Sequence, residues 1–379
     1  MPSGAQPAAE HRRLLADSVA DFTARGTDIA RVRRLRGTQA EYDRAVWKKM
    51  AELGWLGILV PESCGGLGLG LTEMAIVARG LARALVPEPL TASAVLATSA
   101  LAAGDNERLK REQLPRLAAG ELIAALAWQE NAGALETGAN RTRATPFEGG
   151  VKLNGTKRYI AGAAQADAFL VAAGGAGGMV LAWLPAQTAG AALKLETLAD
   201  GRGFGVLTLS DALVPRENIA AQGAAATEAL ARALDHACAI ASAELLGVMS
   251  RALELTLDYM RTRVQFGKPI GSFQALQHRA VDLYIQQELS SAVLDEALAL
   301  LDSGPDARAR AAAASRVKAR CSDAALRITR EAIQLHGAIG FTDEYDAGLY
   351  LKRALVLAAW LGNSALHRRR YAQLAEAQA

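Results

Sequence analysis

Residues 259–278 read YMRTRVQFGKPIGSFQALQH. Arg261 and Arg263 fall at the end of a helical run, where the peptide dipoles favour cations. Gly267, Pro269 and Gly271 then turn the chain, and a new helix opens at Phe273. Helix, turn, helix is the texture of everything after residue 226. The apolar spacing predicts helices over 226–262, 273–302, 306–336 and 345–375. Ser303-Gly304-Pro305-Asp306 is the turn between the second and third. Four long antiparallel helices predict a bundle. Leu253, Leu255, Leu257, Leu276, Val281, Leu283 and Ile285 are its expected buried faces, some of them turned to a neighbouring subunit.

The dipole alone accounts for the arginines, but the segment also suits a ligand. Arg263 can grip an anion through two parallel hydrogen bonds. Phe266 can stack on a planar ring, with Gln274 and Gln277 as neutral amide partners from the next helix. A second segment, Gln334-Leu335-His336-Gly337-Ala338-Ile339-Gly340-Phe341-Thr342, ends a helix at His336. Helix termination explains Gly337 but not Gly340, for which close backbone approach to a ligand is the reading.

Towards the N-terminus the texture changes. Between 121 and 222, short apolar runs at 121–128, 151–154, 168–173, 179–184 and 205–209 are bounded by Gly, Asn and Asp. They predict strands of a small antiparallel sheet or barrel, with Gly174-Gly175-Ala176-Gly177-Gly178 as a hairpin turn. Before 121 the chain reads helical at 8–25, 40–53, 71–85, 91–103 and 106–119, with Gly54 as a helix stop. The expected fold is therefore α+β. An N-terminal all-α domain covers 1–120, a middle β domain 121–222 and a C-terminal four-helix bundle 223–379. Helices and strands do not alternate, which argues against a doubly wound parallel sheet.

Composition narrows the function. The 379 residues are 51% hydrophobic and carry 42 basic against 39 acidic side chains. That balance gives no basic arm for nucleic acid. Apolar runs such as 355–361 and 179–184 fall far short of the roughly 20 residues of a spanning helix. The opening MPSGAQPAAEHRRL lacks a signal peptide's apolar stretch. Cys64, Cys238 and Cys321 form no disulfide framework, and the five histidines have no metal-ligand spacing, so no metal is expected. A cytoplasmic protein is the expectation. Gly65-Gly66-Leu67-Gly68-Leu69-Gly70 sits outside any βαβ unit and lacks the phosphate-loop lysine, so it reads as a tight loop. No GxSxG elbow occurs.

The segments around Arg263 and Gln334 resemble the acyl-CoA dehydrogenases, whose pattern is R-x-x-F-G-x-x-I-x-x-F-Q-x-x-Q and, some 60–70 residues on, Q-x-x-G-G-x-G. The likeness extends to Leu53-Gly54-Trp55-Leu56-Gly57, Val60-Pro61-Glu62, Leu153-Asn154-Gly155-Thr156-Lys157 and Val214-Pro215-Arg216-Glu217-Asn218. It implies FAD at a subunit boundary of a homotetramer or related dimeric unit. Arg263, Phe266 and Gln274 would contact FAD across that boundary. Gln334, Gly337 and Ala338 would line its adenosine or pyrophosphate side, and Tyr159, Ile160 and Ala161 match the family's W-I-T stretch beside the flavin. The implied activity is α,β-dehydrogenation of an acyl-CoA thioester, with electron-transfer flavoprotein or a similar acceptor taking the electrons. Oxidase or monooxygenase chemistry on the same scaffold, or a non-catalytic member, are the alternatives.

The resemblance breaks at the base. The family's Y-E-G-T stretch is Ala359-Trp360-Leu361-Gly362-Asn363 here, with Leu361 at the glutamate position. A second family location falls on Ala237. Glu244 lies two helical turns further along; a buried glutamate paired to an arginine is its plain reading and a displaced base the sharper one. The family's T-E-P-x-A-G-S-D also becomes Gln129-Glu130-Asn131-Ala132-Gly133-Ala134-Leu135, and the threonine beside flavin becomes Ala161. This combination resembles the small subunits of two-component acyl-CoA dehydrogenases of the pimeloyl-CoA and steroid side-chain type. It implies a heteromer with a glutamate-bearing homologue.

Overall fold

The computed structural model describes residues 5–26, 28–38, 40–133, 135, 138 and 141–376. Residues 1–4 of the N-terminal stretch and Ala134 of the 129–135 stretch lie outside them. The order is helices, then strands, then helices, as expected. The first group is α1 (Ala5–Gly26), α2 (Ile29–Leu35), α3 (Arg44–Glu52), α4 (Leu71–Arg83), α5 (Thr98–Ala102) and α6 (Glu107–Ala118). A π-helical stretch, Leu90–Ala97, leads into α5 where an ordinary helix was expected. Asp43 caps α3, its carboxylate accepting from the Ala45 amide at 2.8 Å, and Gly54 at φ 78° stops the chain beyond it. Capping by Asn106 starts α6, through the Leu109 amide at 3.0 Å.

The strands are β1 (Ala124–Ala127), β2 (Arg143–Phe147), β3 (Gly150–Ala161), β4 (Ala168–Gly175), β5 (Gly178–Pro185), β6 (Ala191–Thr197), β7 (Gly203–Pro215) and β8 (Ile219–Gln222). They form one sheet in the order β6-β7-β3-β2-β4-β5-β8, with β1 beside β4. The glycine-rich segment is the β4–β5 hairpin turn, where Gly175 pairs Gly178. The sheet is mixed rather than purely antiparallel, because β1 runs parallel to β4 and β2 meets β4 parallel. β2, β6 and β8 escaped the sequence reading; β6 is largely exposed and has no continuous apolar run to betray it.

The C-terminal helices are α7 (Gly223–Thr262), α8 (Gln274–Asp302), α9 (Ala307–His336), α10 (Ala347–Ala359) and α11 (Ser364–Glu376). A two-stranded hairpin of β9 (Val264–Gln265) and β10 (Lys268–Pro269) joins α7 to α8. The expected fourth bundle helix is thus two helices. Leu361 and Gly362, at φ 61° and 93°, cannot continue a helix and break it.

The chain divides into two compact units, residues 1–33, 75–86 and 238–379 in one and 34–74 and 87–237 in the other. In the first, α9 packs against α8, α10 and α11. Gly247 lets α7 approach α4, since a Cβ there would lie 2.3 Å from the Arg79 carbonyl oxygen. Of the seven residues expected to be buried, Leu253 and Leu283 are. Leu255, Leu257 and Leu276 are half-buried. Val281 and Ile285 are instead 55% and 45% exposed, together with Tyr284 and Leu289 on the same stripe of α8. Helical spacing made this stripe apolar, but α8 turns its Ala280–Leu283–Leu294 face to the core.

In the second unit the core is the sheet's inner face, with Leu153, Ile160, Phe169, Leu184, Leu207 and Val214 at its centre. Beside it, the buried Lys157 ammonium donates to Glu130 at 2.7 Å and to the Trp128 carbonyl at 3.1 Å. The Glu130 carboxylate also accepts from the Arg141 and Thr142 amides. Burial pushes the Glu130 carboxyl up, but Lys157 and Thr142 outweigh it and bring its pKa down to about 2. Breaking one partner of a buried pair leaves the other charge uncompensated, typically about 3–5 kcal/mol. Glu130→Gln should lose that order of stability at neutral pH, read as a lower urea midpoint at unchanged slope.

Candidate functional site

The two sequence segments sit at adjacent helix ends in the first unit. At the end of α7, Tyr259 stacks on His336, the last residue of α9, with ring centroids 4.5 Å apart. His336 Nδ1–H donates to the Ala332 carbonyl, and Nε2 lies 3.1 Å from the Tyr345 hydroxyl. Burial lowers the imidazole's pKa, which favours the neutral form. His336 is thus an anchor that ties α9 to α7 and to the 345 loop. Gly340 packs for the same local reason. A Cβ there would lie 2.8 Å from the Ile333 carbonyl oxygen, so the chain's own turn already requires its smallness.

From this anchor the segments project outward. Arg263 follows α7 and is exposed, with no side-chain partner among the described residues. Phe266 and Gly267, at φ 54° and 77°, make the two-residue turn of the hairpin. That turn holds the Phe266 ring 90% exposed, edge-on to Phe273. Gln274 opens α8 and is exposed, while Gln277 donates to the Gly271 carbonyl at 2.9 Å. Gln334, Gly337 and Ala338 are exposed at the end of α9, and nothing lies within 4 Å of a Cβ built on Gly337.

In the second unit, Tyr159 adopts φ 56° at the end of β3, where the pairing with β7 slips between Lys157 and Ile160. Arg158 lies 5.5 Å over the Tyr159 ring and grips Glu196 through one nitrogen at 3.1 Å from both carboxylate oxygens. Ala161 is half-buried; the Ile160 side chain points into the sheet core and leaves only its backbone to meet a ligand.

The expected base positions contain no base. Leu361 is 1% exposed at φ 61°, and Ala237 is fully buried. Glu244 is ion-paired to Arg353 of α10 at 2.7 Å, both side chains nearly buried. Beneath Leu361 lies a polar cluster that sequence reasoning missed. The fully buried Lys318 ammonium donates to the carbonyls of Ala358 and Gly362 and to the Ser322 hydroxyl, at 3.1–3.2 Å. Burial lowers its pKa to about 8. His367 Nε2–H donates to the Leu361 carbonyl at 2.8 Å. Burial, then the nearby Lys318 charge, hold His367 at a pKa of about 3, so it is neutral. The missed signal was a lysine at an apolar position of α9, in step with Ala314, Val317, Cys321 and Ala325.

Against known proteins, residues 9–121 match the model for the acyl-CoA dehydrogenase N-terminal domain and residues 225–375 the one for its C-terminal domain. Acyl-CoA dehydrogenase IpdE2 of Mycobacterium tuberculosis is 31% identical over 348 residues, 91% of each chain. The chain belongs to the acyl-CoA dehydrogenase family. A solved variant of the Tcur3481-Tcur3483 steroid ACAD superposes at a TM-score of 0.88, with 28% identity over 98% of this chain and 99% of that one. The ChsE4-ChsE5 complex of M. tuberculosis superposes at 0.85, with 27% identity over 96% of each chain. This acyl-CoA dehydrogenase is a flavoprotein oxidoreductase whose cofactor is FAD.

The residues present fit that cofactor. The Arg263 guanidinium, without a side-chain partner among the described residues, and the Phe266 ring, 90% exposed, offer an anion grip and a stacking face. Arg263→Ala should therefore weaken FAD retention by about tenfold or more, the usual scale for a charge-assisted hydrogen bond, read by flavin absorbance after dialysis. A second expectation concerns pH. His367 binds fewer protons folded than unfolded between its ordinary pKa of 6.5 and about 3. Its contribution is present above pH 6.5 and is lost as pH falls toward 3. His367→Gln should flatten the fall of thermal midpoint across that window.

Proposed function

We propose that this chain is the FAD-holding small subunit of a two-component acyl-CoA dehydrogenase, working in the cytoplasm on a dicarboxylyl-CoA or steroid side-chain CoA ester. The observation that carries this reading is Leu361. Its buried aliphatic side chain fills the position where the family's base is expected, on a turn held by Lys318 and His367. Removal of the α proton of an acyl thioester needs a positioned base, and an alkyl group cannot supply one. Glu244 is an unsuitable replacement, because the Arg353 guanidinium holds its carboxylate in place. FAD, when bound, supplies the acceptor for the β hydride.

In this reading the chain's own residues bind and orient. Arg263 and Phe266 hold FAD with Gln274 beside them, and Gln334, Gly337 and Ala338 line its adenosine or pyrophosphate side. By the family resemblance, Tyr159, Ile160 and Ala161 would lie beside the flavin of an FAD shared across the subunit boundary. A glutamate-bearing homologue brings the base, and electron-transfer flavoprotein or a similar acceptor takes the electrons away. Two related solved structures are named as pairs, Tcur3481-Tcur3483 and ChsE4-ChsE5, which supports a heteromer. The exposed stripe of Val281, Tyr284, Ile285 and Leu289 on α8 supports an extended subunit contact.

The test is turnover of the chain alone and with such a homologue co-expressed. General base catalysis is worth about 10²–10⁴-fold, so the chain alone should be slower by that order and co-expression should restore it. Robust turnover alone, abolished by Glu244→Gln, would make Glu244 the base and overturn the heteromer. Robust turnover that survives Glu244→Gln would place the base elsewhere.

A further inference from the structure

A cavity of about 790 Å³ opens in the first unit, and none of Arg263, Gln334 and Leu361 lines it. Its wall comes from α1, α4, α7 and α10, with Ile29 of α2 and with Asp346. That volume falls in the usual range of small-molecule sites, about 300–1,000 Å³. Most of the wall is apolar, with Val19, Ala20, Ile76 and Leu255 among its residues. The wall is also close-packed. Gly80 brings α4 against α1 so tightly that a Cβ there would lie 2.3 Å from Val19 Cγ1.

The polar part of the lining is unbalanced in charge. Arg79, Arg83 and Arg251 line it, against one carboxylate, Asp346. Asp346 is already held by Arg33 at 2.9 Å. Arg83 and Arg251 share a single carboxylate, Glu254. Arg83 meets it with two parallel hydrogen bonds of 2.8 Å, and Arg251 reaches one of its oxygens at 3.2 Å. The Tyr350 hydroxyl, donating to the Arg83 carbonyl at 2.7 Å, ties α10 to this corner. Arg79 is half-buried and has no side-chain hydrogen-bond or ion-pair partner among the described residues.

We propose that this cavity binds a small anionic amphiphile, a carboxylate on a short aliphatic tail, with Arg79 gripping the carboxylate and the apolar wall taking the tail. The planar fork of arginine matches the two oxygens of a carboxylate, and its partial burial strengthens the contact relative to open surface. Arg83 and Arg251 add positive potential without competing for the anion, since Glu254 fixes both. One unpartnered guanidinium amid aliphatic side chains suits one charged head and an alkyl body rather than a multiply charged, fully polar ligand. The inference is independent of the proposed subunit role.

Isothermal titration of the purified full-length protein with octanoate tests it, with octylamine and inorganic phosphate as parallel arms. Saturable octanoate binding is expected, weakened about tenfold or more in Arg79→Gln and partly restored in Arg79→Lys. Ala20→Phe, which fills the cavity from its apolar side, should weaken binding while leaving the charges intact. Flavin content should be unchanged in all three variants. Absence of saturable octanoate binding overturns the proposal, as does octanoate binding that Arg79→Gln leaves unaltered. Equal binding of octylamine would reduce the cavity to a nonspecific apolar dent, and equal binding of phosphate to an anion patch; either result overturns the amphiphile site.

Discussion

A buried ammonium organises the C-terminal helices. Lys318 stands on α9, the helix against which α8, α10 and α11 all pack, and its three protons go to three oxygens. Two of these are the carbonyls of Ala358 and Gly362, left without helical partners where α10 stops. Desolvating a charged lysine is expensive unless every donor is used. The turn at 360–363 must therefore stay where Lys318 can reach it, and His367 holds the carbonyl of Leu361 from the other helix. Leu361 is left in a left-handed conformation that costs an ordinary residue about 1 kcal/mol or more and persists because its surroundings over-determine it.

The same unit builds two exposed surfaces from one aromatic anchor. The stacked Tyr259 and His336 join the ends of α7 and α9. Beyond that anchor the chain makes turns whose positive φ angles aim Phe266 outward and leave Gly337 open. Anchored helix ends with exposed turns above them are what the proposed FAD contact would use, because groups already in place lose little freedom when a ligand arrives. The sheet unit follows the same logic at Tyr159, where a slipped register re-aims one side chain at the strand end.

Much of this was legible in the residues. Helical spacing, the Ser303–Asp306 turn and the Arg263 and Gln334 segments are local patterns, and local patterns survive folding when propensity and packing agree. The misses have physical reasons. Strand β6 is largely exposed, so it carries no apolar alternation. The parallel pairing of β1 with β4 is a long-range choice that neither strand's own sequence encodes. Val281 and Ile285 are apolar and exposed within one chain, because a helix with two apolar faces can turn only one of them to its own core.

By itself the sequence determined the α+β order, the FAD-binding family and the absence of a carboxylate at positions 361 and 237, because these depend on residue identity and spacing along the chain. Only the tertiary structure decided what the remaining polar residues do. Glu244 became half of an ion pair because α10 brings Arg353 to it. Lys318, an apparent misfit on an apolar helix face, became the cap of a helix 40 residues away. Arg79 lines a cavity with no side-chain partner among the described residues, while Arg83 and Arg251 share Glu254. A charged side chain's role is set by which opposite charge or carbonyl reaches it, and partners distant in sequence meet only when the helices pack.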